Sequence, residues 1–232
     1  MDVATGVWVL GSAAVSAVAA LLLPAFVRTL PERDVDDSVT YAAIAAPRAL
    51  PGLLAGAAAV VGGLLGWART GQPDLPAFLV LGVLGTGMAY VDLRRHLLPD
   101  RMTVPALALG AVLLAAAALA AEGGGTSYAR AWTAAGALLL FYLVLALIYP
   151  AGLGLGDVKL AGALGLHLGW LGWSAVIVGT FAAFLIGGLV GLVLLLARRA
   201  TRGTAIPFGP AMLVGALVAA VWAEPITAWY LR

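Results

Sequence analysis

Two aspartates stand apart from the other acids of this 232-residue chain. Asp157 closes the run Gly152-Leu153-Gly154-Leu155-Gly156-Asp157 and leads into Val158, Lys159 and Leu160, and Lys159 is the only lysine. Asp92 follows an apolar stretch, residues 75–91. A carboxylate beside a membrane span is costly to keep there, which makes each a functional candidate. Two such groups brought together suit general acid–base hydrolysis. One takes a proton from water and the other gives one to the leaving amine. The remaining acids are Asp2, Glu32, Asp34, Asp36, Asp37, Asp74, Asp100, Glu122 and Glu224, in loops or near the tails. They read as solvated charge. Asp157 also suits a helix N-cap, since glycines precede it and an apolar run follows. A phosphate-binding reading of the glycines lacks the strand that such loops follow.

The elements that must position this pair are membrane spans. Hydrophobic residues make up 63% of the chain and charged ones 10%, which places it among polytopic helical membrane proteins. There is no cysteine, so disulfides and cysteine-bound zinc are excluded. His96 and His167 are too far apart to form a metal site alone, and no metal is expected. A formal charge of +2 is too small to suggest nucleic acid as a partner. About 20 apolar residues cross a bilayer as a helix. On that rule the chain reads as one all-α integral membrane domain, 1–232, with about eight spans. Their approximate bounds are 6–27, 50–67, 75–91, 104–121 and 131–149, then two spans within 158–197, and 207–222. The break inside 158–197 is expected at Gly169-Trp170-Leu171-Gly172-Trp173, where tryptophans suit the membrane interface. The first apolar run is too long for a signal-peptide core and reads as a retained span.

Arginine and lysine set the orientation. With both termini outside, the inner loops hold 10 of the 13 basic residues and the outer segments 3, which follows the positive-inside rule. The cytoplasmic side then carries 28–49, 92–103 and 150–157. Spans four and five separate Asp92 from Asp157, so both aspartates return to the same face. Asp157 at a helix N-terminus favours the anion, and Asp92 at a C-terminal end disfavours it, so Asp157 is expected as base and Asp92 as proton carrier. Gly154 and Gly156 are expected to give clearance for a substrate backbone and to permit strained angles. Lys159 is two residues from Asp157 and points to another helix face; its expected partners are lipid phosphate or the loop after Asp92. His96 reads as a solvated loop residue and His167 as a packed one. The spacings Gly165/Gly169 and Gly187/Gly191 suit close helix packing.

Gly154-Leu155-Gly156-Asp157 followed by Val158-Lys159-Leu160 closely resembles the GxGD signature of the type IV prepilin peptidases. Asp92-Leu93-Arg94-Arg95-His96-Leu97-Leu98-Pro99-Asp100 resembles the family's other aspartate motif, an aspartate followed later by Pro-Asp or Pro-Asn. Ile206-Pro207-Phe208-Gly209-Pro210 is similar to its Pro-Phe-Gly-Pro element. The three motifs stand in family order across residues 92–210. The resemblance implies a leader peptidase of the bacterial cytoplasmic membrane that removes short basic leaders from prepilins or pseudopilins at the cytoplasmic face. It makes Asp92 and Asp157 catalytic, with Lys159, Pro207, Phe208 and Gly209 in support, and it leaves Asp100 outside the catalytic set. Bifunctional members carry paired Cys-x-x-Cys motifs between the first two spans and N-methylate the product. Here that segment is the short stretch 28–48 and has no cysteine. No cofactor is therefore expected, with S-adenosylmethionine needed only if methylation is retained. A proton-coupled transporter using the same aspartates, or an inactive subunit of a pilus assembly complex, are the competing readings.

Overall fold

The computed structural model describes residues 2–32, 39–150, 152–198 and 206–230, without side chains at 224, 225 and 227–230. Ten helices follow in chain order among these residues: α1 Val3–Ala20, α2 Leu23–Arg28, α3 Tyr41–Ile44, α4 Leu50–Ala68, α5 Leu75–Arg95, α6 Asp100–Ala120, α7 Gly124–Ile148, α8 Leu155–Leu171, α9 Trp173–Leu196 and α10 Gly209–Tyr230. The described residues contain no strand. Arg33, Asp34, Asp36, Asp37, Arg199, Arg202 and Arg232 lie outside the described residues, as does most of the basic loop near 198–204.

The chain is a polytopic helical bundle. Six segments are long and apolar enough to cross a membrane: Val3–Arg28, which runs α1 into α2, then α4, α5, α6, α7 and α9. The other two long helices, α8 and α10, are the shorter apolar ones, with 17 residues in α8 and the apolar part of α10 spanning Gly209–Ala223. The expected eight segments are thus present, and six meet the full length for a span. The reason for the short α8 is its place at the centre. It packs against α6, α7, α9 and α10, and twelve of its residues are buried, so protein rather than lipid covers it.

Small residues let the helices approach. The closest pairs are α7 with α8, α1 with α4, and α9 with α10. A Cβ on Gly165 would stand 2.6 Å from the Ala134 carbonyl oxygen of α7, and one on Gly169 would stand 2.4 Å from the Ala134 Cβ. The Gly165/Gly169 spacing therefore serves close packing. Gly187 receives the Phe208 ring, whose Cε2 would be 2.7 Å from an added Cβ, whereas Gly191 has no such neighbour closer than 3.6 Å. The break between α8 and α9 falls at Gly172, inside the expected stretch, where φ is 146°. Only glycine takes that backbone readily.

Two boundaries differ from the sequence reading. α5 continues through Asp92, Leu93, Arg94 and Arg95 and ends at His96, in the left-handed region with φ of 54°. α6 already begins at Asp100. The loop expected over 92–103 thus shrinks to 96–99. Polar residues ended the apolar run but not the helix, because arginines are favourable in a last turn, where the helix macrodipole is negative.

Asp74 is not a solvated acid. It is 2% exposed, pairs with Arg69 and accepts from the Trp170 indole Nε1 at 2.6 Å. Arg130 donates to the carbonyls of Gly169 and Trp170, both at 2.7 Å. These contacts tie the α4–α5 turn and the start of α7 to the end of α8. Asp74 precedes α5 and Asp92 lies in its last turn, about 27 Å apart at the helical rise, so Asp74 belongs to the opposite end of the bundle.

Candidate active site

Asp92 and Asp157 line one cavity of about 260 Å³, together with His96, Leu98, Asp100, Gly154, Gly156 and Lys159. Asp92 comes from the last turn of α5 and Asp157 from the first turn of α8. The two carboxyls are within electrostatic range of each other. Asp92 is 4% exposed and Asp157 is half-buried. Neither lies near the middle of its helix, which separates this arrangement from a transporter site at the membrane midplane. A larger cavity of about 410 Å³ between α4, α5 and α10 is lined almost wholly by apolar side chains and contains neither aspartate.

Each carboxyl holds one backbone donor. The Gly154 N–H donates to Asp157 Oδ2 at 2.9 Å. Asp157 is therefore the third residue of α8 rather than its N-cap, and it reaches back to the N-cap, Gly154. That is one half of a capping box. The Gly209 N–H donates to Asp92 Oδ2 at 3.0 Å. Gly209 opens α10, so Asp92 faces the positive end of one helix while it ends another. This removes the asymmetry that helix position alone assigned to the two aspartates.

The motif glycines act differently from one another. Neither Gly154 nor Gly156 has a positive φ, so the expected strained angles are absent. A Cβ on Gly156 would stand 2.9 Å from Leu98 Cβ and 3.3 Å from its carbonyl oxygen. Gly156 is thus the point where the loop 96–99 rests on α8. At Gly154 the nearest atom to an added Cβ is Asp157 Oδ2 at 3.6 Å, an ordinary contact. Its exposed face lines the cavity.

The element at 206–210 divides its work. Phe208 packs against Phe184 and Tyr142, with ring centroids 5.2 and 6.3 Å away. Pro207 is partly buried beside it. This anchoring sets Gly209 against Asp92, so closely that an added Cβ would lie 2.7 Å from Oδ2. Lys159 reaches Asp100, inside the stretch 92–103 expected to partner it, and its Nζ donates to both oxygens at 2.7 and 2.8 Å. His96 is exposed at the end of α5, on the cavity's rim. His167 is fully buried at the other end, its Nδ1 2.8 Å from the Ala163 carbonyl and its ring edge-on to Phe78.

A clasp that no local sequence pattern signals lies beneath the site. Glu32 accepts from the Tyr41 backbone N–H at 2.6 Å and from Arg95 at 2.5 Å. The Arg95 guanidinium lies 4.1 Å from the centroid of the Tyr41 ring, a cation–π geometry. Tyr90 donates to the Ile44 carbonyl at 2.6 Å, and Arg101 to the Thr29 carbonyl at 3.0 Å. Thr29, Glu32, Tyr41 and Ile44 are thereby docked on the C-terminal part of α5, which carries Asp92, and on the first turn of α6. Burial pushes the Glu32 carboxyl up, but the bonds from Arg95 and Tyr41 outweigh it and hold it below the ordinary 4.5. Among the described residues no group of three or more His, Cys, Asp or Glu is placed to hold a metal ion.

Residues 77–192 match the model of the type IV leader peptidase family. That is half of the chain, and the chain belongs to this family. Among similar curated proteins, a prepilin leader peptidase/N-methyltransferase of Aeromonas hydrophila is 35% identical over 164 residues, 69% of this chain and 54% of that protein. Proteins of the same name from Xanthomonas campestris and Pseudomonas aeruginosa are 33% and 31% identical, over 72% and 76% of this chain and 55% and 59% of theirs. The chain spans about half the length of the curated relatives it matches. No solved structure matches.

Proposed function

We propose that this member of the type IV leader peptidase family is an aspartic endopeptidase that removes the basic leader of prepilins or pseudopilins. The observation that carries the reading is the shared cavity, into which α5 and α8 bring Asp92 and Asp157, both inside the matched region 77–192. Two carboxyls in one cavity resist double ionisation, so the pair retains one shared proton. The ionised member draws a proton from a water as its oxygen attacks the scissile carbonyl, and the other member protonates the carbonyl oxygen. Collapse of the tetrahedral intermediate then breaks the C–N bond, and the same carboxyls return a proton to the leaving amine. The Gly154 and Gly209 N–H groups hold one oxygen of each carboxyl. The other oxygen of each carboxyl has no hydrogen-bond partner among the described residues, which leaves it for water and substrate.

The distribution of arginine and lysine supports a site on the cytoplasmic face of the bacterial inner membrane with both termini outside. A cysteine-free chain allows a direct test. A cysteine placed at His96 should react with an impermeant thiol reagent only in inverted vesicles, and one at Ser127 only in right-side-out vesicles.

The activity is tested with purified protein in detergent and a synthetic prepilin. Leader removal is expected for the wild type, with a loss of at least about a hundredfold in Asp92→Asn and Asp157→Asn, the lower end of what a general acid or base supplies. Cleavage by both variants at the wild-type rate would sink the dyad. Labelled S-adenosylmethionine in the same reaction decides whether the new terminus is methylated.

A further inference from the structure

The ion pair between Asp100 and Lys159 sits in the cavity of the dyad, yet the hydrolytic steps leave it without a part. Lys159 follows Asp157 by two residues in the first turns of α8, and Asp100 opens α6. Both line the same cavity as the two catalytic aspartates. The pair is half exposed, at 45% for Lys159 and 55% for Asp100, so its contribution to stability is small. Its electrostatic position is another matter. The ammonium ends a flexible four-carbon stem, and Lys159 is the only Lys or Arg of α8.

We infer that Asp100 is a positioning residue whose task is to hold the Lys159 ammonium off the Asp92/Asp157 dyad. The inference rests on the dyad reading above. The other groups facing the dyad are accounted for. From α5 come His96 at the rim and Arg95, which is turned onto Glu32 and Tyr41. From α6, Arg101 is turned onto the Thr29 carbonyl. From α7, Tyr142 stands within electrostatic range of Asp157, and from α10 the Gly209 N–H bonds Asp92. Bidentate pairing with Asp100 makes the Lys159 charge nearly neutral as seen from the dyad. Released, the ammonium would favour the doubly ionised carboxyls and strip the proton that the acid step needs.

The geometry gives shifts of opposite sign. In Asp100→Asn the ammonium is freed, and the basic limb of the pH–rate profile moves to lower pH. An ammonium about 6 Å from a carboxyl, in an effective dielectric between about 40 and 80, displaces it by about 0.5 to 1 pH unit. In Lys159→Met the Asp100 carboxylate is left facing the dyad as a like charge, and the limb moves to higher pH. In the double variant Asp100→Asn/Lys159→Met both charges are gone and the limb returns to the wild-type position. A tie that merely held α6 to α8 would lower activity in all three variants with no opposed shift.

Two readouts are taken on detergent-solubilised full chain. The first is the pH dependence of kcat for a synthetic prepilin, together with KM. The second is the infrared carboxyl band of the dyad, identified as the signal lost in Asp92→Asn/Asp157→Asn, and titrated without substrate. Opposed shifts in the single variants and their cancellation in the double support the inference. An unmoved midpoint in Asp100→Asn overturns it, as does a shift that survives in the double variant or a loss carried wholly by KM. If the wild type cleaves nothing, the peptidase reading falls while the infrared titration still decides this one.

Discussion

Gly209→Ala is the substitution that most directly probes how the site is held. The added Cβ would meet Asp92 Oδ2 at 2.7 Å and Leu98 Cδ1 at 3.2 Å. An ordinary contact begins near 3.4 Å, so the carboxyl must retreat by 3.4 − 2.7, or 0.7 Å. Its bond from the Gly209 N–H is already 3.0 Å long. A retreat of that size carries it past about 3.2 Å, the upper end of normal N–H···O distances. A hydrogen bond to a charged group contributes about 1.5 to 3 kcal/mol. At about 1.36 kcal/mol per factor of ten, its loss lowers kcat by about 10- to 150-fold.

The assay is steady-state cleavage of a synthetic prepilin in detergent, with helicity and gel-filtration profile measured on each protein. KM should stay within about twofold, because the substitution disturbs a carboxyl proposed for the chemical step rather than a binding surface. Gly188→Ala in α9 is the control, since nothing lies within 4 Å of its added Cβ. It should retain wild-type kcat. A Gly209→Ala protein that folds and turns over at the wild-type rate would refute the claim that this N–H positions Asp92. Equal losses in both variants would refute it as well.

Gly156→Ala should impair cleavage far more than Gly154→Ala, because its Cβ meets the Leu98 backbone oxygen at 3.3 Å while the other meets nothing closer than 3.6 Å; parallel kcat measurements decide. Glu32 has a lowered folded-state pKa, so its contribution is present above the ordinary value near 4.5 and is lost as pH falls through the folded one. Pepsin cleavage within residues 28–48 should therefore rise as pH falls below about 4.5, and in Glu32→Gln it should be high already at pH 5.5 with no acid step from this residue. Gly110→Ala would put a Cβ 2.4 Å from His167 Cε1 and 2.7 Å from Nε2. Overpacking of this kind costs about 1 to 3 kcal/mol, and the thermal midpoint should fall.

Charge in an apolar sequence is conspicuous, which is why Asp92 and Asp157 are legible in the sequence alone. Their environments are not. Asp92 looked like the first residue of a loop because Leu93-Arg94-Arg95 is polar, yet α5 continues to Arg95. The donor to Asp92 comes from Gly209, 117 residues later, and no local pattern reports a contact of that separation. The same holds for Asp74 and Trp170, 96 residues apart, and for Glu32 and Arg95, 63 apart. Loop acids are solvated by default, and each exception here has a partner from a distant helix. The glycines show the converse limit. Gly154 and Gly156 read as clearance for a substrate backbone and as sites of strained angles, whereas neither has a positive φ, and the close approaches are by Leu98 at Gly156 and by Asp92 at Gly209.

The position of Asp157 follows from how α8 is held along its whole length. At its N-terminus, Gly156 lies against Leu98 and Lys159 is bonded to Asp100. Through its C-terminal half, Gly165 and Gly169 draw the helix onto α7, and His167 fills the notch left by Gly110 of α6. At its C-terminal end, Trp170 is bonded to Asp74, and Arg130 caps the Gly169 and Trp170 carbonyls. A helix of 17 residues gains little from lipid and much from this enclosure, because each contact fixes its rotation as well as its depth. Rotation is what matters for a residue in the first turn. Each residue turns about 100° around the axis, so a modest roll of α8 would swing Asp157 away from Asp92. The site at one end of the bundle is therefore set by contacts at the other.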